Sequence, residues 1–131
     1  MKNLIVFGIA LFISVLGACQ MTYSTKNKKA IKLFEEGMKK ERELAADGRP
    51  NYAGAVESFK KAIEKDPNFL EAYGMSITFL EKIQEFEEAY SMGKKAISMN
   101  LTGPGSSFLY YKTADIAFKI KKYEEAIKYG E

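Results

Sequence analysis

The sequence repeats itself at an interval of thirty-four residues. Tyr52 is matched by Phe86, and the run KKAI at residues 60–63 recurs at residues 94–97. A fixed period of this size is typical of proteins built from stacked supersecondary units, each of which buries its apolar face against its neighbours. The sequence therefore predicts a repeat architecture in place of a single closed core.

Composition narrows the functions that such a chain can have. The 131 residues include no His and no Trp, one Cys, and a net charge of +3. So mild a charge, spread along the chain, does not indicate nucleic-acid binding. Without His, and with Cys19 as the lone thiol, the sequence holds no zinc site of His and Cys ligands, no Cys–His nucleophilic pair and no internal disulfide. We therefore predict a protein that is not an enzyme and that binds no metal and no small-molecule cofactor.

The chain begins with the pattern of a secretory signal peptide. Lys2 precedes thirteen apolar residues, LIVFGIALFISVL at positions 4–16, and small residues follow directly. A basic start, a short apolar stretch and small residues before the cleavage point define such a signal. The alternative, a transmembrane helix, requires about 20 apolar residues. We therefore predict a cleaved signal peptide over residues 1–18.

The four residues Leu16-Gly17-Ala18-Cys19 resemble the bacterial lipobox. In proteins with that motif the Cys sulfur receives a diacylglycerol, the chain is cleaved before the Cys, and the new amine is acylated, for example with palmitate. The resemblance implies a lipoprotein anchored through Cys19 in the cell envelope, at the outer membrane, since more than one acyl chain makes anchoring stable. The alternative is a free buried thiol. Residues 20–27 are polar without a helical period, so residues 19–27 are predicted to form a lipid-anchored tether that acts as a spacer.

From residue 28 onward, apolar residues recur at intervals of three and four, which indicates amphipathic helices. Helices are predicted over residues 28–46, 52–65, 69–83, 86–99, 108–120 and from 123 onward. Gly and Pro interrupt the pattern in the intervening loops. Pro67 ends the second helix, and Asn68 with Glu71 forms a predicted capping box for the third. The predicted fold class is all-α.

Small and aromatic residues in these helices follow the pattern of the tetratricopeptide repeat. The matching positions are Ala55, Phe59, Ala62 and Pro67 in the first unit, Tyr73, Leu80, Phe86, Ala89 and Ala96 in the second, and Tyr110, Ala114, Ala117, Tyr123 and Ala126 in the third. The chain resembles that family over residues 28–131, which implies a helical-hairpin solenoid of about two and a half to three repeats, at residues 30–69, 70–103 and 107–131. Gly37 takes the glycine position of the first unit, and six extra residues before Tyr52 predict a first helix that is longer by more than a turn.

The third repeat stops early. Its last helix has about nine residues, 123–131, and lacks the polar capping helix that usually ends a solenoid. Either the chain is a fragment of a longer protein, or something else covers its open end. The missing cap favours the fragment.

The first helix of each unit lines a concave face in this family, and partners bind there. The resemblance implies a partner groove formed by Phe34, Met38 and Arg42 in the first unit, Met75, Thr78 and Lys82 in the second, and Tyr111, Asp115 and Phe118 in the third. Met and aromatic side chains adapt to an apolar peptide or helix. The alternative for each residue is packing between repeats. Chaperone-binding members carry Lys and Asn at the places of Phe34, Met38 and Met75, so a carboxylate clamp is not predicted.

A more specific resemblance combines the lipobox Cys, the segment YSTKNKKAI at residues 23–31 and the repeats. Together they are similar to the amino-terminal part of Bacteroidetes outer-membrane lipoproteins, in which a β-propeller and an OmpA-like domain follow the repeats and which in some cases serve type IX secretion and gliding. This implies a non-catalytic interaction scaffold of the envelope, in a secretion, gliding or peptidoglycan-linked assembly, anchored by lipid and bound to another envelope protein.

Two other functions compete with this scaffold. One is a solute- or glycan-capturing surface lipoprotein of the SusD-like kind, which short loops and the lack of Trp disfavour. The other is a cell-wall hydrolase. Its candidate residues are the paired Glu residues at 35–36, 87–88 and 124–125, but these lie among Lys residues on helix faces. We expect a solvated surface at those pairs.

Overall fold

Six α-helices joined by loops make up the part of the chain that the structure describes. This computed structural model describes residues 22–131, so the predicted signal peptide and Cys19 lie outside the described residues. The helices are α1 (Lys28–Arg42), α2 (Tyr52–Lys65), α3 (Leu70–Lys82), α4 (Phe86–Ser98), α5 (Ser106–Lys119) and α6 (Tyr123–Gly130). Between residues 22 and 131 no strand occurs, apart from an isolated bridge between Leu44 and Pro50. The predicted all-α fold class is confirmed.

The helices form three hairpins in succession. Helix α1 packs on α2, α3 on α4, and α5 on α6, while contacts of α2 with α3 and of α4 with α5 stack each hairpin on the next. Helices α3 and α5, the first helices of the second and third hairpins, also touch. Because each hairpin packs on its neighbours in the chain, the architecture is that of a solenoid.

A chain of aromatic rings joins the first two hairpins. The ring centroid of Phe34 in α1 lies 5.1 Å from that of Phe59 in α2, and Phe59 lies 5.6 Å from Phe79 in α3. Phe79 continues to Tyr52 at 5.1 Å. Such pairs add about 0.5–1.5 kcal/mol each beyond the burial of their apolar area. The rings therefore hold three helices together around one centre.

The turns inside the second and third hairpins are alike. Gln84 and Lys121 each adopt a left-handed φ of 64°. The backbone N–H of the following residue donates to the carbonyl of Leu80 at 2.9 Å in one turn and to that of Ala117 at 2.8 Å in the other. Such bonds satisfy carbonyls that a helix leaves without partners at its end. The two turns lie thirty-seven residues apart, which defines the register between the second and third units.

The turn inside the first hairpin differs from the prediction. Helix α1 ends at Arg42 and not at residue 46, and residues 43–51 form a loop in which the Ala45 N–H donates to the Arg49 carbonyl at 2.7 Å. Gly48 turns this loop with a φ of 77°, which glycine adopts without strain. The prediction of a longer first helix is wrong, because the extra residues close this loop.

The predicted capping box of α3 does not form. The carboxylate of Asp66 accepts the Asn68 N–H at 3.0 Å, and Phe69 occupies the N-cap position without a side-chain cap bond. Glu71 is hydrogen-bonded to Ser24 instead. The capping box does not form because Ser24, which precedes α1, accepts the Leu70 N–H and donates to the Glu71 carboxylate at the start of α3.

Glycine allows the closest approach between α1 and α2. A Cβ atom added at Gly37 would lie 2.5 Å from Cε1 of Phe59 and 3.0 Å from the Ala55 carbonyl oxygen. Gly74, also inside a helix, is different, because its Cβ would meet the Phe108 ring at an ordinary 3.7 Å.

We expect Gly37→Ala to lower the free energy of unfolding by about 1–3 kcal/mol, because a backbone carbonyl and a packed ring must move apart. Gly74→Ala is the matched control and should raise it by up to about 1 kcal/mol, the helix-propensity gain of Ala over Gly. Urea unfolding followed by circular dichroism measures both. Equal effects of the two changes would contradict the close approach at Gly37.

Candidate functional site

Residues 23–27, which we call the strap, pack against α1 and the start of α3. The Tyr23 ring stands edge-on to Phe34 and to Phe69, with centroid distances of 5.5 and 5.8 Å. Thr25 is buried, and its hydroxyl donates to the carboxylate of Asp66. These residues, predicted to lie in a spacer, are therefore packed into the folded domain.

Two strap side chains also satisfy the ends of helices. The Ser24 hydroxyl accepts the Leu70 N–H at 3.0 Å, and the Ser24 N–H donates to the Glu71 carboxylate at 2.9 Å. Asn27 caps the first turn of α1 through its side-chain oxygen and donates from its amide nitrogen to the Lys65 carbonyl at 2.9 Å. Backbone groups at the ends of three helices thus gain partners that the helices themselves cannot provide.

An apolar groove lies where the strap, α1, α3 and α5 meet. Its cavity volume is about 340 Å³, near the lower end of the range of about 300–1,000 Å³ for ligand pockets. The lining residues are Thr22, Tyr23, Phe34, Met38, Leu70, Glu71, Gly74, Met75, Pro104, Gly105, Phe108 and Leu109. Glu71, the one charged residue in this set, is hydrogen-bonded to the strap. The groove therefore offers a partner mainly apolar contacts.

Three of the predicted groove residues meet in this cavity. Met38 and Met75 are half-buried and stand on opposite helices, α1 and α3. Phe34 lines the same cavity but is only 5% exposed and belongs to the aromatic core. Phe34 therefore packs between repeats, which is the alternative to a groove position, whereas the two methionines are accessible.

A second concavity, which we call the basic cleft, adjoins the groove and shares Phe108 with it. Its lining residues are Thr78, Glu81, Lys82, Gln84, Phe86, Phe108, Lys112 and Lys119. The predicted residues Thr78 and Lys82 therefore lie here and not in the groove. Arg42 is exposed at the end of α1 and lines neither concavity.

The side chains that α5 contributes to the concave face differ from the predicted set. Asp115 lies beside Lys119, whose ammonium donates to it at 2.7 Å. Tyr111 and Phe118 are 66% and 64% exposed, and Tyr111 lines a separate cleft with Gly130 between α5 and α6. Neither residue lines the groove or the basic cleft.

The interval of thirty-seven residues identifies the side chains that do line the concave face. It relates Met75 to Lys112 and Lys82 to Lys119, and these two lysines lie in the basic cleft. Tyr111 corresponds instead to Gly74. The predicted set follows this interval at Asp115, which corresponds to Thr78, but lies one residue too early on α5 at Tyr111 and Phe118.

Glu81 joins α3 to α5 through two lysines. Its carboxylate accepts from the ammonium groups of Lys112 and Lys119. Burial alone raises the pKa of Glu81, but the hydrogen bonds and charges of the two lysines outweigh it and hold the pKa below the ordinary value of 4.5. The hydrogen bond to Asp115, followed by that to Glu81, raises the pKa of Lys119. This ionised cluster ties the second unit to the third at the rim of the groove.

We expect Glu81→Gln to lower the free energy of unfolding at pH 7 by about 1–3 kcal/mol, since charge-assisted bonds are lost. A depressed folded-state pKa means that the carboxylate stabilises the fold above its unfolded pKa and loses this effect as the pH falls through its folded pKa. The difference between wild type and variant should therefore shrink below pH 4.5. Urea unfolding from pH 7 to pH 3 measures this difference in the free energy of unfolding. The exposed substitution Glu64→Gln is the control. A difference that is independent of pH would rule out the ionised cluster.

The described residues contain neither a metal-binding cluster nor a membrane-spanning helix. Between residues 22 and 131, no three His, Cys, Asp or Glu side chains are grouped so that they could hold a metal ion. In the same range no helix has both the length and the apolar character needed to cross a membrane.

Comparison with known proteins identifies the fold. No protein-family model matches the sequence, and no curated protein matches it significantly. A solved structure described as the first TPR of Spaghetti (RPAP3) bound to HSP90 peptide SRMEEVD is similar to this chain, with a TM-score of 0.64 and 23% identity over 80% of this chain and 76% of that one. The chain therefore has the tetratricopeptide-repeat fold, and the predicted helical-hairpin solenoid is confirmed.

Proposed function

We propose that the protein is a non-catalytic, membrane-anchored scaffold of the bacterial cell envelope that binds another envelope protein through the apolar groove. The groove is the observation that carries this proposal. It lies on the face of the solenoid that α1, α3 and α5 share, and it presents Met38, Met75 and Phe108 beside the strap. Apolar side chains that line a concavity are typical of a surface that binds a ligand or a partner.

The side chains that line the groove and the basic cleft indicate what kind of partner segment would bind there. Methionine side chains are flexible and polarizable, so Met38 and Met75 can follow the shape of an inserted apolar side chain. Phe108 lines both concavities. Lys82 is exposed in the basic cleft. A helix or extended segment with apolar anchors and a nearby acidic residue therefore fits both surfaces.

The similar solved structure is described as bound to a peptide of HSP90. Repeats that bind chaperones carry Lys and Asn at the positions that correspond, by the family resemblance, to Phe34, Met38 and Met75 of this chain. Uncharged side chains cannot form the charge-assisted bonds that a terminal carboxylate requires. The partner proposed for this chain is accordingly an apolar segment and not a chaperone carboxyl terminus.

The lipobox resemblance of residues 16–19 supports an anchor at Cys19. Three residues separate Cys19 from the strap, and an extended chain spans at most about 3.6 Å per residue. Thr22, the last of these three, already lines the groove. The groove of an anchored protein would therefore lie within reach of segments that emerge from the membrane.

A more specific assignment rests on the segment at residues 23–31. Its similarity to Bacteroidetes outer-membrane lipoproteins supports a place in a secretion, gliding or peptidoglycan-linked assembly of the outer membrane.

Separate substitutions test the proposed anchor and the proposed groove.

Cys19→Ser should abolish lipid attachment, because the acylated sulfur is lost. In the source bacterium grown with an alkyne-bearing palmitate analogue, the wild-type protein should carry the label and the variant should not. Gln20→Ala, one residue further on, is the control and should keep the label. Label on the Cys19→Ser variant would disprove the anchor.

A photo-crosslinking amino acid in place of Met75 should capture one defined partner in cells. The same group in place of Leu44, which is 71% exposed on the first hairpin loop, is the control and should not. Adding Phe108→Glu to the Met75 probe should lower the yield at least five-fold, because a charge in an apolar groove is costly to desolvate.

Phe34 is left unchanged in this experiment, since deletion of a core aromatic costs about 3–5 kcal/mol and would unfold the site. Circular dichroism confirms that each variant is folded. Equal yields from the Met75 and Leu44 probes, or a yield that Phe108→Glu does not change, would remove the groove from the proposal.

A further inference from the structure

Six exposed lysines surround the place where the strap, the start of α1 and the end of α2 meet. We call this surface the lysine face, and its members are Lys26, Lys28, Lys29, Lys32, Lys61 and Lys65. The side-chain amide of Asn27 donates to the Lys65 carbonyl at 2.9 Å. Lys65 at the end of α2 is therefore held beside the first residues of α1.

The charge of this surface is not balanced within the domain. Residues 22–34 contain four lysines and no acidic residue, since the first Asp or Glu of the sequence is Glu35. Between residues 22 and 131 no ion pair includes a member of the lysine face, whereas five other lysines each pair with a Glu side chain. The small net charge of the chain thus conceals a local excess of positive charge.

Neighbouring carboxylates reduce this excess without removing it. Those next to the lysine face in the sequence are Glu35, Glu36, Glu64 and Asp66. Glu36 is paired with Lys40 at 3.0 Å, and Lys40 lowers the pKa of Glu36 more than the charges of Lys61 and Lys32 do. Six lysines therefore stand against the three other carboxylates.

The position of these lysines works against the stability of α1. Its first turn holds Lys28 and Lys29 and no acidic residue, although the positive end of the helix dipole favours acidic side chains there. Helices α3, α4 and α6 do place Glu in that turn. Lys28 and Lys32 are four residues apart, a spacing at which like charges repel each other. The fold does not explain these lysines, which indicates a role in binding.

The chemistry of the lysine face indicates a broad anionic surface as its ligand. All of its cations are lysines, which act as compact point charges, whereas arginine binds single phosphates or carboxylates through paired hydrogen bonds. The two arginines of the chain, Arg42 and Arg49, lie at the far end of the first hairpin. No member of the lysine face lines the groove or the basic cleft. Exposed lysines outside these concavities suit a flat layer of negative charge.

We infer that the lysine face binds the anionic headgroups of a phospholipid bilayer, with the start of α1 and the end of α2 against the membrane. Each lysine near such a surface favours binding by about five-fold. The inference goes beyond the proposed function, because it requires neither a lipid on Cys19 nor a partner in the groove. Since none of these lysines lines the groove, a membrane on the lysine face leaves the groove open.

A fluorescent amino acid in place of Asn68, which is exposed beside the end of α2, measures contact of the lysine face with a membrane. The full chain is reconstituted from detergent into vesicles of phosphatidylcholine, with or without phosphatidylglycerol, that contain a headgroup-linked quencher. Quenching should be at least three-fold stronger in the anionic vesicles. It should fall to the neutral level in about 1 M salt, where charges are strongly screened.

The same amino acid in place of Leu44 reports the orientation of the domain. Leu44 lies beyond the other end of α1, a helix of 15 residues, which is about 22 Å long. Quenching at residue 44 should therefore not differ between the two kinds of vesicle.

Lys28→Gln, Lys29→Gln and Lys32→Gln together should abolish the preference for anionic vesicles, because the ratio of docked to undocked domains falls about a hundred-fold. The matched control is Lys95→Gln, Lys121→Gln and Lys128→Gln, which removes the same charge from exposed positions elsewhere. It should keep the preference. Circular dichroism confirms that both variants are folded.

Three outcomes would overturn the inference. They are equal quenching at residue 68 in both kinds of vesicle, equal effects of the two triple substitutions, and equal responses at residues 68 and 44. The first would favour an acidic protein as the ligand of the lysine face. Anionic vesicles added to a chain without a lipid should still quench residue 68, so the label at Cys19 and the crosslink from Met75 are independent results.

Discussion

The contact of the Phe59 ring with Gly37 is the one on which the first half of the solenoid depends. Because residue 37 has no side chain, the Phe59 ring lies directly against the backbone of α1 and contacts Phe34 and Phe79 at the same time. That arrangement sets α1 relative to α3, and with them the two walls of the groove that carry Met38 and Met75. The aromatic packing that positions these helices thus also determines the width of the binding surface.

The helices could be predicted from periodic side chains, and part of the groove could be predicted from the resemblance of those helices to tetratricopeptide repeats. Apolar spacing located α2 to α6 to within two residues at each boundary described, and the two methionines fell on the concave face. The first hairpin loop could not be separated from a longer helix, because its closure depends on backbone bonds across residues 43–51. Lys112 was missed because the predicted positions on α5 lie one residue too early at Tyr111 and Phe118, and Phe108 was missed because it lies before the first of them.

The strap escaped prediction for another reason. Its side chains have no period, and each of its bonds joins positions far apart in the chain, such as Ser24 with Glu71 and Thr25 with Asp66. A single sequence contains no signal for such pairs. Local capping rules paired Glu71 with Asn68, three residues away, and the more distant hydroxyl of Ser24 took that carboxylate instead.

The bonds of the strap also determine where a mechanical force on the chain would enter the domain. Tension applied to the chain before residue 23 does not reach the free end of α1 first, because Ser24, Thr25 and Asn27 are bonded to the region where α2 ends and α3 begins. Several hydrogen bonds and the Tyr23 stacking would have to break together before α1 could be peeled from its neighbours. A force on the chain before the strap would therefore enter the domain at the junction of its first two hairpins, and the domain would resist that force as a unit.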